Sequence, residues 1–568
     1  MKQRATGLMA LGLFLGSFLL IFTWAPETGY TRDEGFYFDA AKHYAGWFST
    51  LVRDPDKALT EAGIRRHFEI NREHPVLIKN LMAISYLALA KNTPAKPASF
   101  PPDSIGTYAR AMRLPSQLFS ALAVCLTFLL GTSLASRRVG LLAALAFLLA
   151  PRHFYHAQLA CFDMPAVAMW LATVWAFRKA RVSVKWSLLT GIIWGLALAT
   201  KHNSFFLPVV LVIHWLIVQG KEFSLGRRGL SFPRIPLAFF AMLILGPLVF
   251  LAHWPFLWHQ TIERIGWYFG FHLHHVHYPW EYFGTLLTEP PFPFTLPLPT
   301  LFLGVWGFGS ELGRRLGHPL RSLLRALGRF AGLEQKTPED QGALDTWDSW
   351  LLLLNIFIPF AVIALPKVPI FGGVKHWMHA MPFFCILGAI TLERMLRALP
   401  PPAIFRKWKM KLDTALFAML ALLLLTPSVQ GIVRHKASPS SSYNALIGGL
   451  QGAADAGMQR QYWSDSIKAL LPVINEKLPP RARLYLHEVT SECFRAYKRD
   501  GWLRPDIRPS YSPEGADFTA FQVHREFADI EYRIWNKTGH ASVAAGLYID
   551  DVPIVLLYDT RGKRAKTD

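Results

Sequence analysis

Cysteine is scarce, with four in 568 residues. Cys125, Cys161 and Cys385 fall in or beside apolar stretches, and Cys493 stands alone in the C-terminal part. That rules out a disulfide framework in the tail, and no Cys-x-x-Cys spacing offers a zinc site. Charge is thin as well. Asp, Glu, Lys and Arg make up 17% of the chain, against roughly 25% in soluble domains. Acid is the scarcer sign, 39 residues against 60 basic ones, for a net charge of +21. Such a surplus would suit nucleic acid, but the bases are spread among loops between apolar segments, and a positive-inside bias explains many of them. No repeat period is evident. What the chain does have is apolar sequence: 52% hydrophobic residues, in runs that recur from residue 8 to residue 432 and then stop. This is the pattern of a polytopic membrane protein with a soluble tail.

Length and hydropathy predict about eleven membrane helices, near 7–24, 115–134, 139–152, 164–178, 186–200, 204–219, 235–255, 294–311, 349–366, 376–395 and 413–432. Several are shorter than the usual ~20 residues. The N-terminal run, with Lys2 and Arg4 before it, resembles a signal peptide, but Trp24-Ala25-Pro26 offers no small-residue cleavage site. It reads as an uncleaved first span. The connections Arg137-Arg138, Arg178 to Lys185, Lys221 to Arg234, Arg314 to Lys336 and Arg394 to Lys411 are basic, which places them and the N-terminus in the cytoplasm. Residues 76–91 are apolar but short and read as a re-entrant or surface helix. With that choice the first external loop (25–114, carrying surface helices), Arg152, Asp163, Lys201, 253–293, 367–375 and the tail all face outside.

The chain thus divides into a transmembrane domain over 1–433 and an external domain over 434–568. Ser438 to Tyr443 reads as a linker. Asp465 to Lys477 reads as an amphipathic helix, and Leu484 to Val489 and Val552 to Tyr558 as strands. A small α/β domain of this length can hold a core. Arg561 to Asp568 reads as disordered.

Carboxylates at a membrane surface are expensive and rarely placed there for packing. Asp33-Glu34 lies in Tyr30-Thr31-Arg32-Asp33-Glu34-Gly35-Phe36-Tyr37, just beyond the first span. Asp163 lies in Cys161-Phe162-Asp163-Met164-Pro165, at the mouth of another. Both could simply cap helices, where negative charge suits the positive end of the dipole. Capping and catalysis are compatible. Lys201 and Arg152 sit at helix ends, where they could bind an anion or snorkel. His272, His274, His275 and His277 lie beside Tyr278 and Trp280. They could hold a metal, although the alternation with Phe271 and Val276 fits an interfacial segment touching substrate better. Asn536-Lys537-Thr538 matches a glycosylation sequon, a pattern common by chance.

Asp33-Glu34 after the first span, His74-Pro75-Val76-Leu77-Ile78-Lys79, Asp163-Met164-Pro165 and Ala197-Leu198-Ala199-Thr200-Lys201 follow one another over residues 1–220. In that order they resemble motifs of the protein O-mannosyltransferase and aminoarabinose-transferase group. These are GT-C glycosyltransferases that use polyprenyl-phosphate sugars. Val76 stands where the group usually has a second proline. Tyr278 to Pro297, Pro369 to Pro382, Tyr443 to Ala453 and Tyr462-Trp463 resemble bacterial members with an external tail.

The resemblance implies a mostly α, GT-C-type helix bundle in the inner membrane, with its active site on the periplasmic or external side. An endoplasmic-reticulum setting fits the same residues. It implies sugar transfer with inversion from a polyprenyl-phosphate donor to a protein, lipid or glycan hydroxyl, with membrane lipids and no nucleic acid as further partners. Asp33 is the expected general base, supported by Glu34, with Asp163 either backing the residues that touch substrate or orienting the acceptor. The acceptor hydroxyl must lose a proton as it attacks the anomeric carbon, through an oxocarbenium-like transition state. Cationic groups must then hold the leaving phosphate. His74, Lys79, Arg152, Lys201 and His376 are the expected substrate-binding residues. No cofactor is required by this scheme, and a divalent metal is optional.

Two other readings fit less of the chain. Transporters of lipid-linked or anionic solutes often show two related halves, and no half-to-half similarity is seen here. A non-catalytic scaffold presenting its tail would leave the ordered acidic motifs unexplained.

Overall fold

The computed structural model describes residues 2–92, 107–222, 224–226, 229–231, 233–274, 278–287, 302–315, 344–365, 368, 372–398 and 409–561. The chain is mostly helical. Ten of the eleven predicted membrane stretches coincide with a described helix, among them Lys2–Trp24, Thr107–Leu134, Asp163–Ala180, Thr346–Ile363 and Lys409–Arg434. The eleventh is helical over 302–315, and 294–301 lie outside the described residues. Among the described residues six helices are long and apolar enough to cross a membrane. A seventh arises if Arg137–Leu149 and Pro151–Gln158, bent by 72°, count as one. Eleven crossings is therefore more than the described helices satisfy by length and composition. The excess comes from short apolar helices such as Val184–Leu198 and Leu237–His253. The outer helices face outward with exposed leucines, among them Leu8, Leu243 and Leu422, as lipid-facing surfaces do.

Leu77–Leu89, the apolar stretch that resisted a place in the topology, is a 13-residue helix. It packs between Arg32–Arg53 and Thr107–Leu134. At about 1.5 Å per residue it is too short to cross the hydrocarbon core.

The C-terminal part is α/β as expected. Its strands are β1 (Arg483–Leu486), β2 (Arg508–Pro509), β3 (Phe518–Gln522), β4 (Ala545–Ile549) and β5 (Val552–Asp559). They form one sheet in the order β2-β1-β3-β5-β4. β1 pairs in parallel with β2 and β3, and β5 runs antiparallel to β3 and β4. Ile467–Lys477 is the predicted amphipathic helix. Of the tail end predicted to be disordered, 562–568 lie outside the described residues.

The tail does not hang from a free linker. Ser438, Ser440, Ser441 and Ser442 are buried, and Ser440 donates to Asp465 Oδ1 at 2.9 Å. One apolar core joins Tyr30, Phe38, Tyr108, Tyr155 and Phe162 to Tyr462, Leu470, Leu484 and Tyr497 of the tail. Tyr30 and Tyr497 stack with ring centroids 4.4 Å apart. The Asp500 carboxylate accepts from Tyr30 Oη at 2.7 Å and from the backbone N–H groups of Tyr108 and Ala109, both at 3.2 Å. A tail side chain thus satisfies two of the free donors at the start of helix Thr107–Leu134. Sequence patterning found the tail elements but not this shared core, because nothing local in a sequence reports which face of one domain meets another.

Candidate active site

A cavity of about 680 Å3 lies where the helix mouths meet the tail. Asp33, Asp163, His74, Lys201 and His376 all line it. Five of the eight predicted site residues, drawn from separate parts of the chain, share one space.

Local sequence explains the first pair. Thr31 caps helix Arg32–Arg53, and with Glu34 it forms a reciprocal capping box. The helix advances about 100° per residue, so neighbours 33 and 34 face different surroundings. Asp33 turns to the cavity, where Lys375 Nζ stands 3.5 Å from Oδ2. Glu34 turns inward and is fully buried. Its carboxylate accepts from Arg113 Nε and Nη2 at 2.7 and 2.8 Å, from Ala160 N at 2.8 Å and from Thr31 N at 2.9 Å. Four donors fill the roughly four acceptor positions of a carboxylate. The expected support of Asp33 by Glu34 therefore gives way to a structural post beneath it.

Asp163 opens helix Asp163–Ala180, with Pro165 in the first turn. Oδ1 accepts from Lys201 Nζ at 2.6 Å, and Oδ2 meets His156 Nδ1 at 3.2 Å. His156 Nε2 in turn meets the Tyr462 hydroxyl of the tail at 3.1 Å. Both Asp163 oxygens are engaged, in contrast to the looser setting of Asp33.

The other expected ligands divide. His74 and Lys201 come from two adjoining turns, joined by the Leu77 N to Ala199 O bond of 2.9 Å. Burial, with Lys79 and His272 nearby, holds the His74 imidazole well below its ordinary pKa, hence neutral. Lys79 does not line the cavity. Its ammonium donates to Asn71 O at 2.6 Å, Asn71 Oδ1 at 3.1 Å and His74 O at 2.9 Å, which uses all three donors. It holds the turn that presents His74. Arg152 also stands off the cavity. It donates to Ser442 O at 3.1 Å and lies 4.7 Å from the Tyr443 ring centroid and 5.4 Å from that of Tyr462. It braces the tail against the membrane helices. Both residues were expected to bind substrate because a cation at a helix end looks the same in sequence whichever way it turns.

Sequence reasoning missed Lys375 as a site residue. Burial pulls its ammonium below the ordinary value, against the pull of Asp33 and Asp163. The residue sits in a glycine turn. Gly372 and Gly373 adopt φ of +69° and +66°, and a Cβ on either would meet Trp463 or Tyr462 at 2.7 or 2.5 Å. Trp463 and Ser464 are themselves left-handed, at φ 70° and 65°, an uncommon state for non-glycine residues. The tail also supplies Gln459, Glu488, His524 and Glu526 to the cavity wall. Glu488 pairs with Arg32 at 2.8 Å. Burial and then Glu488 push the Glu526 carboxyl up to about 7.

Of the histidines 272–277, His272 lines the cavity, stacked on His202 with ring centroids 4.2 Å apart. His275 and His277 lie outside the described residues. No group of three or more metal-ligating side chains occurs among the described residues.

Residues 104–250 match the family model of dolichyl-phosphate-mannose-protein mannosyltransferases. The chain is 28% identical over 212 residues to undecaprenyl phosphate-alpha-4-amino-4-deoxy-L-arabinose arabinosyl transferase 1 of Pseudomonas fluorescens. That match spans 34% of this chain and 36% of the relative's length. Among solved structures, apo ArnT from Cupriavidus metallidurans aligns over 98% of both chains at 14% identity with a TM-score of 0.45. The oligosaccharyltransferase AglB of Archaeoglobus fulgidus aligns over 87% of this chain and 64% of its own at 10% identity, with a TM-score of 0.41. The resemblance carried by the motifs is thus matched by the family model and the curated relative. The chain resembles GT-C glycosyltransferases of the protein O-mannosyltransferase and aminoarabinose-transferase type.

Proposed function

We propose that this protein is an integral-membrane glycosyltransferase. It takes a sugar from a polyprenyl-phosphate carrier and passes it to an acceptor hydroxyl on the external face of the membrane, with inversion. The observation that carries this reading is the convergence of Asp33, Asp163, Lys201 and Lys375 on one cavity. A transferase of this kind needs a carboxylate to take the acceptor proton and cations to hold the phosphate that leaves. Asp33 is the base in this scheme, because Asp163 is engaged on both oxygens. Lys201 and Lys375, each beside a carboxylate, are placed to turn toward an arriving phosphate. His376 and the neutral His74 complete that side.

Proton and charge balance simply. The acceptor O–H proton moves to Asp33 as its oxygen bonds to the anomeric carbon. The bond from that carbon to the phosphate oxygen breaks, and its electron pair stays on the polyprenyl phosphate. Attack from the face opposite the leaving group inverts the centre.

Asp33→Asn should remove transfer from labelled polyprenyl-phosphate sugar in purified membranes while the protein still accumulates. Near-normal turnover by that variant would take Asp33 out of the mechanism.

A further inference from the structure

The tail side of the cavity carries chemistry that phosphate capture does not use. His524 is buried and lines the cavity, and its Nε2 has no hydrogen-bond partner. Burial holds the ring neutral. The Gln459 amide nitrogen lies 3.3 Å from His524 Nδ1. An amide nitrogen only donates, so Nδ1 accepts and the ring proton sits on Nε2. The orphan atom is therefore an N–H donor. The same wall holds Glu488 and Glu526, the latter a carboxyl that both accepts and, when protonated, donates, and the Phe527 ring lies 5.6 Å from that of His524 as an apolar face. Glu488 is tied through Arg32 to the start of the helix that carries Asp33.

A buried donor sharing a wall with carboxyl groups selects its ligand. A phosphate only accepts and would be repelled by the Glu488 carboxylate. An ammonium only donates and would leave the buried His524 N–H unsatisfied, which is unfavourable. Hydroxyl groups do both. Two or more on a ring with an apolar face would satisfy every group at once.

Resting on the transferase reading above, we propose that His524, Gln459, Glu488 and Glu526 form a subsite for the hydroxyl groups of a neutral sugar ring, adjoining Asp33. The ring belongs either to the donor or to a glycan acceptor, and the chemistry is the same.

The test uses full-length protein in nanodiscs, with three probes: decaprenyl phosphate, decaprenyl-phosphate-glucose and methyl glucoside. Wild type and the variants His524→Ala and Glu526→Gln are compared by binding titration, with thermal unfolding as the control for folding. If the donor sugar occupies the subsite, both variants lose about tenfold in affinity for decaprenyl-phosphate-glucose. Bare decaprenyl phosphate then changes less than about twofold. If a glycan acceptor occupies it, the same loss falls on methyl glucoside instead. Unchanged affinity for both sugars, or an equal loss on bare decaprenyl phosphate, overturns the subsite. Failure of wild-type protein to bind decaprenyl phosphate would count against the transferase reading itself, which keeps the two failures apart.

Discussion

Adjacent residues 33 and 34 carry similar side chains and opposite duties. Glu34 and Arg113 form a buried ion pair whose remaining valences are filled by backbone N–H and C=O groups. Removing one partner of such a pair strands the other and costs about 3–5 kcal/mol. Glu34→Ala should therefore lower the unfolding temperature sharply or abolish accumulation, whereas Asp33→Asn should leave the melting curve near wild type. Thermal unfolding of the two variants side by side reads this directly. Asp465 offers a second residue-level test. Burial pushes its carboxyl up to about 7, against the bonds from Ser440 and Tyr155. Its unfolded value is near ~3.9, so between about pH 4 and 7 the folded state holds the proton and the unfolded state does not. Stability from this group is thus full below about pH 4, falls as pH rises to about 7 and then levels off. Asp465→Asn, which is neutral throughout, should flatten that part of the stability–pH curve. An unchanged slope would mean that Asp465 does not titrate as described.

At the scale of elements, the decisive contact is between two turns. The glycine pair 372–373 and the left-handed pair 463–464 press together above Lys375. Gly373→Ala would combine a disfavoured φ with a clash on the Tyr462 ring. We expect it to displace Tyr462 and loosen Lys375, lowering transfer by about tenfold or more while the membrane helices stay folded. Comparing activity with helical circular dichroism tests this. Much of the site was legible at this scale. Asp33 and Asp163 stood out as costly carboxylates at helix mouths, while the cap of the first helix is Thr31, whose spacing to Glu34 is that of a capping box. The direction of a long cation was not legible, since Lys79, Arg152 and Lys201 all sit in or near helix ends and only Lys201 of the three reaches the cavity. Nor was Lys375, because left-handed glycines and a tail loop from nearly a hundred residues away fix its place.

For the whole molecule, patterning separated membrane helices from an α/β tail but left them as two bodies. The structure joins them through a common core and a common cavity. Expressed alone, residues 434–568 should expose the face that Tyr30, Phe38 and Tyr108 cover, and should aggregate or bind a hydrophobic dye. A soluble, monodisperse, dye-silent fragment would contradict the shared core. Low sequence separation built the individual helices and strands. The contacts that make the cavity span hundreds of residues, which is why period and propensity found the parts and not their meeting.

That meeting also imposes an order in time. The acids are made before the tail wall, since Asp33 and Asp163 precede His524 and Glu526 by hundreds of residues. A nascent polypeptide halted at residue 450 would hold both aspartates and the bases beside them, yet lack the wall that runs from Gln459 to Phe527. On the proposed scheme competence waits for that wall, so copies cut short before residue 524 would hold the reacting acids without it.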